Sequence, residues 1–141
     1  MISVTLRKIL KKDWDFILKL RNSDEFRTYF YNQHIISKKE HYDYLTKQKN
    51  NSKFTNWIIC YGNKDVGYVR ILDADVSIII DKKYHGKGIG TKTLFLIEKE
   101  AKKLGIKKLV GKIMIHNKNS KKIFVDNDYK LKMWHYEKNI T

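Results

Sequence analysis

The segment His85-Gly86-Lys87-Gly88-Ile89-Gly90 is the part of the chain best suited to hold a ligand. Glycines at alternate positions let a backbone approach an anion closely and turn several N–H groups one way. An apolar run, Val76 to Ile80, precedes the loop, and a helical pattern follows it. The loop therefore opens onto a helix N-terminus, which carries about half a positive charge. The chemistry this predicts is capture of phosphate. Two common phosphate loops do not fit. The dinucleotide fingerprint needs Gly-x-Gly-x-x-Gly near a chain-initial strand and an acidic residue roughly 20 positions on. Here the spacing is Gly-x-Gly-x-Gly and the strand lies mid-chain. The ATP loop ends in Gly-Lys-Ser/Thr, whereas Gly90 runs directly into Thr91.

The elements that must position this loop are legible from periodicity. Ile2 to Leu6 reads as a first strand, and Lys11 to Arg21 as a helix with Trp14, Ile17, Leu18 and Arg21 on one stripe. A shorter helical piece is expected near Asp24 to Phe30. Ser37-Lys38-Lys39-Glu40 forms a capping box that opens a helix to about Lys49, with Tyr44 and Leu45 inside. Lys53 to Tyr61 and Val66 to Leu72 read as a hairpin joined by a turn at 62–65. Val76 to Ile80 is nearly all apolar, as a central strand is. From about Lys87 the residues Leu94, Ile97, Ala101 and Leu104 repeat at helical spacing, and Gly105 stands where a left-handed cap belongs. Lys107 to Ile115 reads as a strand, Asn117 to Asp126 as a helix, and Tyr129 to Glu137 as a last strand. The order predicts one α/β domain, residues 1–141, with a sheet of mixed direction and helices on both faces.

Composition narrows the function classes. The chain has 141 residues and a formal charge of +15, nearly all from lysine, since arginine occurs only at Arg7, Arg21, Arg27 and Arg70. Such a field attracts polyanions: coenzyme A, a nucleotide sugar or a nucleic acid. It also fits a solvated lysine-rich surface. The one cysteine, Cys60, excludes an intramolecular disulfide and a cysteine metal cluster, and no metal is expected. Its apolar surroundings make it a small buried hydrophobe. No apolar run approaches the roughly 20 residues that span a bilayer. The first residues read as a strand and a helix rather than a leader, so a cytoplasmic protein with no membrane partner is expected.

The stretch Asp81 to Gly90 resembles the pyrophosphate-binding motif of the GCN5-related N-acetyltransferases, the GNAT superfamily. That motif is Arg or Gln, two residues, Gly, one residue, then Gly or Ala, and it falls on His85, Gly88 and Gly90. Asn117-Lys118-Asn119-Ser120, followed by Ile123 and Phe124, resembles the family's Asn-x-x-Ala/Ser helix. The resemblance implies a central, mostly antiparallel sheet with a splayed central pair of strands. It implies acetyl-CoA as donor, with the backbone of Ile78, Ile79 and Ile80 along the pantetheine arm. The amides of Lys87, Gly88, Ile89 and Gly90 would hold the pyrophosphate, with Thr91 and Lys92 adjoining and His85 and Gly86 in the same cofactor-binding loop. Asn117, Ser120 and Phe124 would line the far side. Two departures matter. His85 replaces arginine or glutamine, which makes that contact pH-dependent. Phe124 stands where many relatives carry the tyrosine that protonates the leaving thiolate, and phenylalanine has no proton to give.

The first half is expected to bind the acceptor. Arg21-Asn22 and Ser37 to His41 resemble acetyltransferases of nucleotide-linked amino sugars, of the pseudaminic acid type. In that reading Arg21 and Arg27 clamp a diphosphate, Trp57, Tyr29 and Tyr31 stack on a base or sugar face, and Asn22, His41 and Arg70 complete the acceptor site. Direct transfer to a neutral amine needs a base. His41 is the first candidate and His116 the second, with Tyr84 as candidate thiolate proton donor. The expected partner is a small-molecule amine, and the chain is expected as a monomer or homodimer. Other readings are an N-acetyltransferase for a protein N-terminus or another small amine, and a non-catalytic acetyl-CoA-binding or nucleic-acid-binding module. Nucleic acid is disfavoured because no basic helix with interleaved readout residues is present.

Overall fold

The computed structural model describes residues 2–140. In chain order these form β1 (Val4–Lys8), a short 3₁₀ turn (Lys11–Asp13), α1 (Trp14–Asn22), α2 (Asp24–Arg27), α3 (Lys38–Gln48), β2 (Phe54–Tyr61), β3 (Lys64–Leu72) and β4 (Asp75–Ile80). A second 3₁₀ turn (Lys82–Tyr84), α4 (Ile89–Lys103), β5 (Val110–Gly111) and α5 (Lys118–Asp126) follow. The sheet runs β1-β2-β3-β4-β5 and is antiparallel except for the parallel β4–β5 pair.

Alternation along the strands sorts two cores onto opposite faces. Trp57, Ile59, Val69, Ile71, Val76 and Ile80 pack against Ile89, Leu94, Ile97 and Ala101 of α4 and Phe124 of α5. Ile58, Cys60, Tyr68 and Ile79 pack against Ile17 and Leu20 of α1 and Phe26 of α2. Helices thus cover both faces, as the pattern predicts.

Several boundaries differ from the sequence reading. The α1 stripe is Trp14, Ile17 and Leu20, while Leu18 and Arg21 are only half-buried. In α3, Ser37 Oγ accepts the Glu40 amide as expected, but His41 and Leu45 face inward and Tyr44 is exposed. The first hairpin turns on Gly62 and Asn63 alone, with a bulge between Ile59 and Cys60. Leu104 is 54% exposed and closes no core; Gly105 does take the left-handed cap, at φ +75. The strand expected over 107–115 shrinks to Val110–Gly111, and the last strand, 129–137, forms no ladder. Period-two patterning is local, whereas a ladder needs a neighbouring edge. β5 pairs through two residues only, so the downstream strand has nothing to extend.

The β3–β4 hairpin turns on Asp73 and Ala74, both at positive φ (48° and 72°). This geometry matches the right-handed strand twist and starts β4 at Asp75. The Ala74 carbonyl then accepts the Val110 amide at 2.8 Å, which begins the β4–β5 pairing.

A charged tie holds the strand edge to the first helix. Arg7 reaches Asp13 with two nitrogens, at 2.9 and 2.8 Å, and Asp65 with two, at 3.3 and 2.8 Å. Asp13 is buried and also accepts the Leu10 amide at 2.8 Å. Hydrogen bonds from Arg7 hold its carboxyl below the usual aspartate range. A depressed folded value means stability present above the unfolded value, near pH 4, and lost as pH falls through the folded one. Asp13→Ala is expected to cost about 3 kcal/mol at pH 7, measured by denaturant unfolding. The deficit should shrink below pH 4; a deficit constant down to pH 2.5 would contradict this account.

Candidate active site

β4 and β5 pair at Asp75–Val110 and Val76–Gly111 and then separate. From Ser77 to Ile80 the β5-facing edge of β4 is unpaired. The gap is a cleft of about 530 Å³. One wall is β4 and the glycine loop. The other is Lys112, Ile113 and the start of α5. Phe26, Tyr29, Phe30 and Tyr31 form a lip over it.

The loop fits a diphosphate on three counts. Gly86 and Gly88 both sit at φ +77, and a side chain at either would meet nothing within 4 Å. Their conformation disfavours side chains while the space beside them stays open. Gly88 caps α4 without any side-chain acceptor, so the amides of Ile89, Gly90 and Thr91 have no intrahelical partner. The helix dipole adds to their pull on an anion. Gly90 serves packing instead, because a Cβ there would stand 2.4 Å from Ile123 Cδ1. Its bare backbone admits α5 against α4.

Of the anticipated coenzyme residues, Ile78, Ile79, Ile80, His85, Gly86, Gly88, Ile89, Gly90, Thr91, Asn117, Ser120 and Phe124 line this one cleft. Lys87 does not, and its side chain is exposed. Asn117 caps α5 by accepting the Ser120 amide at 3.2 Å and donating to Ser120 Oγ at 3.0 Å. Phe124 is buried, its ring seated on Gly111 where a Cβ would be 2.3 Å from Cε1. It packs edge-on against Tyr129, whose hydroxyl burial pushes up to about 12.

The anticipated acceptor residues divide. Arg70 lines the cleft and donates to Asp75, to its backbone carbonyl and to Oδ2, each at 3.2 Å. Asn22 is occupied elsewhere: it donates to the Ile36 carbonyl (2.7 Å) and accepts the Ile36 amide (2.9 Å), pinning the loop before α3. Trp57 is a core residue, 9% exposed, and does not line the cleft. Its β2 position points it at α4, which sequence alone could not separate from a stacking role. Arg21 and Arg27 do not line the cleft. Arg21 stacks on Phe30 at 4.0 Å and donates to the Asn32 carbonyl at 2.6 Å. Arg27 pairs with Asp24. Arg21 Nη1 and Arg27 Nε are buried without partners, and burial, then the like charge of Arg27, lowers the Arg21 pKa.

The candidate proton carriers are not gathered at one point. His41 is buried, donates Nε2–H to the Trp14 carbonyl at 2.8 Å and is biased to the neutral form by burial, away from the cleft lining. The residue locks α3 to α1. His116 sits on the rim, its Nε2 on the Thr28 carbonyl at 2.8 Å and its ring against Tyr29. Tyr84 lines the cleft, but in the turn beyond the end of β4. That is more than roughly 13 Å along the strand from Val76, where the strands part. Asp75, missed by the sequence reading, is the single carboxylate of the cleft lining among the described residues. Its Oδ1 is buried and unpartnered. The available signal was its place directly after a tight turn and before the apolar central strand.

The sequence matches the family model of the acetyltransferase (GNAT) domain over residues 3–130. The chain belongs to the GNAT acetyltransferase family. It is an N-acetyltransferase with acetyl-CoA as donor. Its fold is similar to that of a domain from Methanocaldococcus jannaschii DSM 2661, at 25% identity and TM-score 0.83, covering 92% of this chain and 90% of that one. It is also similar to spermidine N-acetyltransferase from Vibrio cholerae, solved with CoA and spermine, at 19% identity and TM-score 0.77, covering 87% and 78%. A third is the microcin C7 self-immunity acetyltransferase, solved with acetyl-CoA and AMP, at 19% identity and TM-score 0.69, covering 88% and 77%. A comparison with curated proteins found no match.

The two glycine roles separate experimentally. Gly88→Ala forces a side chain to φ +77, at a cost of about 1–2 kcal/mol, and puts a methyl group into the open space beside the loop where a diphosphate would sit; the KM for acetyl-CoA should rise about tenfold or more with the fold retained. Gly90→Ala should cost about 1–3 kcal/mol in unfolding, by overpacking against Ile123. Unchanged coenzyme KM in Gly88→Ala would contradict the assignment.

Proposed function

We propose that this GNAT enzyme acetylates a small primary amine carried on a nucleotide, a nucleotide-linked amino sugar, by direct transfer within a ternary complex. The observation that carries this reading is the make-up of the cleft's acceptor end. An aromatic lip, Tyr29, Phe30 and Tyr31, offers faces on which a sugar or base stacks. Next to it, though outside the cleft lining, Arg21 stacks on the lip residue Phe30, and Arg21 and Arg27 carry buried nitrogens without partners, like charges that an anionic group would satisfy if the lip shifts on binding. At the point where the strands part lies Asp75, with Oδ1 free to orient an incoming amine. Bound acetyl-CoA supplies an activated thioester carbon. The chain's part is to hold the diphosphate on the Gly86–Gly90 amides, align the arm with the open edge of β4, and direct the amine with Asp75. The new N–C bond forms as the C–S bond breaks and its electron pair leaves on sulfur as the coenzyme A thiolate, which takes a proton from solvent, while the amine proton passes to solvent or to Asp75.

The net charge of +15 opposes a polycationic acceptor by long-range repulsion, although a polyamine enzyme shares the fold. A nucleotide bound to a similar fold is seen in the microcin immunity enzyme with AMP, an analogy of architecture only.

Thiol release measured across UDP- and dTDP-linked amino sugars, spermidine, aminoglycosides and N-terminal peptides tests the proposal. Nucleotide-linked amino sugars should give the highest kcat/KM, and Arg27→Ala should raise their KM about tenfold with little change in the KM for acetyl-CoA. A preference for spermidine or peptides would refute it.

A further inference from the structure

The aromatic lip over the cleft, residues 28–31, is fixed by side chains from the other end of the chain. Phe30 turns inward and packs half-buried on the core of α1 and α2. Tyr29 and Tyr31 are 37% and 77% exposed, so burial alone does not set where their rings stand over the cleft. Two polar contacts do. His116 donates Nε2–H to the Thr28 carbonyl at 2.8 Å and lays its ring against Tyr29, with centroids 5.3 Å apart. It stands directly before Asn117, which lines the opposite wall. Tyr31 donates its hydroxyl hydrogen to Glu137, in the segment after α5. His135 donates to the same Glu137 oxygen at 2.5 Å, and the two bonds, that from Tyr31 first, hold this carboxyl below the ordinary glutamate range. The contacts span 88 and 106 residues of sequence.

We propose that His116 and Glu137 are positioning residues for the acetyl transfer: they latch residues 28–31 across the mouth of the cleft and so set the shape of the acceptor wall. This rests on the assignment of the lip to the acceptor given above, and it adds the residues that hold the lip there. Neither residue touches a reacting atom in this role; each acts through the tyrosine beside it. A lip tied only at its base, by Arg21 on the Asn32 carbonyl and on the Phe30 ring, would carry Tyr29 and Tyr31 over a wide arc. Tied to the far wall as well, it presents both rings in one arrangement, which is what stacking on a sugar or base requires. The entropy of ordering two exposed aromatic side chains is then lost before the acceptor arrives rather than on binding. The latch works through hydrogen-bond geometry and needs only an acceptor at position 137 and a donor at position 116.

The test compares the full chain with Glu137→Ala, His116→Ala and the two together. Beside them stand Glu137→Gln and His116→Gln, which keep an acceptor for the Tyr31 hydroxyl and a donor for the Thr28 carbonyl. The Tyr29 and Phe30 amides bond the Phe26 and Arg27 carbonyls. Their hydrogen exchange, with no ligand added, should quicken about fivefold in each alanine variant and more in the double, with Ile78–Ile80 unchanged. In thiol release with a UDP-linked amino sugar, the acceptor KM should rise about fivefold to tenfold while the KM for acetyl-CoA and the thermal midpoint hold; the glutamine variants should restore most of the loss. Unaltered lip exchange in the double variant overturns the proposal. So does a glutamine variant as impaired as its alanine counterpart, or an equal rise in the KM for acetyl-CoA, because the residues would then act otherwise than as a latch. Absence of turnover with every nucleotide-linked amino sugar would overturn the acceptor assignment, and the exchange comparison then decides the latch by itself.

Discussion

Two register pairs, Asp75 with Val110 and Val76 with Gly111, are all that join β4 to β5. Everything at the site depends on that pairing stopping where it does. A central strand normally has both edges filled, and an unfilled edge inside a fold leaves backbone donors and acceptors in want of partners. Here the edge of Ser77 to Ile80 opens into a cleft that ends at a helix N-terminus. The same interruption that weakens the sheet leaves room for an extended ligand beside the unpaired amides at the start of α4, where we propose the coenzyme's arm and phosphates bind.

What keeps the strands apart is the packing of α5. Phe124 seats its ring on Gly111, and Ile123 fills the space beside Gly90. Neither glycine position tolerates a Cβ at that distance, so both contacts depend on the absence of side chains. Phe124 thus acts in this chain as a wedge at the fork, a role that a phenyl ring without a hydroxyl fills by packing alone. In the proposed mechanism, the amine proton is handled at the acceptor end, where Asp75 and Arg70 meet. The α2 segment is linked to this frame by Phe26 on His85 and by Glu25 on Lys82. The acceptor lip and the coenzyme loop therefore share a boundary.

That the glycine loop, the central strand and the start of α5 would line one cleft was legible in the sequence because its signals are backbone signals. Glycine at positive φ, an asparagine cap at Asn117 and an apolar central strand each leave a local mark that survives without knowledge of the tertiary fold. The acceptor side was not legible for the opposite reason. His41, Trp57 and Asn22 have side chains suited to chemistry, and only the fold shows them donating to Trp14, filling the core or pinning Ile36. Asp75 was overlooked because one aspartate beside a turn looks like turn chemistry; its unpartnered Oδ1 is a tertiary fact. The strand over 107–115 was overextended because alternation describes a chain's readiness to pair, and the available edge lies elsewhere in the fold.

The central claim is that the open edge of β4 and the glycine loop together receive the coenzyme. Hydrogen exchange of backbone amides with and without coenzyme A tests this most directly, since it reads both segments at once. The account predicts strong slowing for peptides covering Ser77–Ile80 and Gly86–Gly90, with little change in β1 and β2. Protection confined to other segments, with these two unaffected at saturating coenzyme, would contradict it.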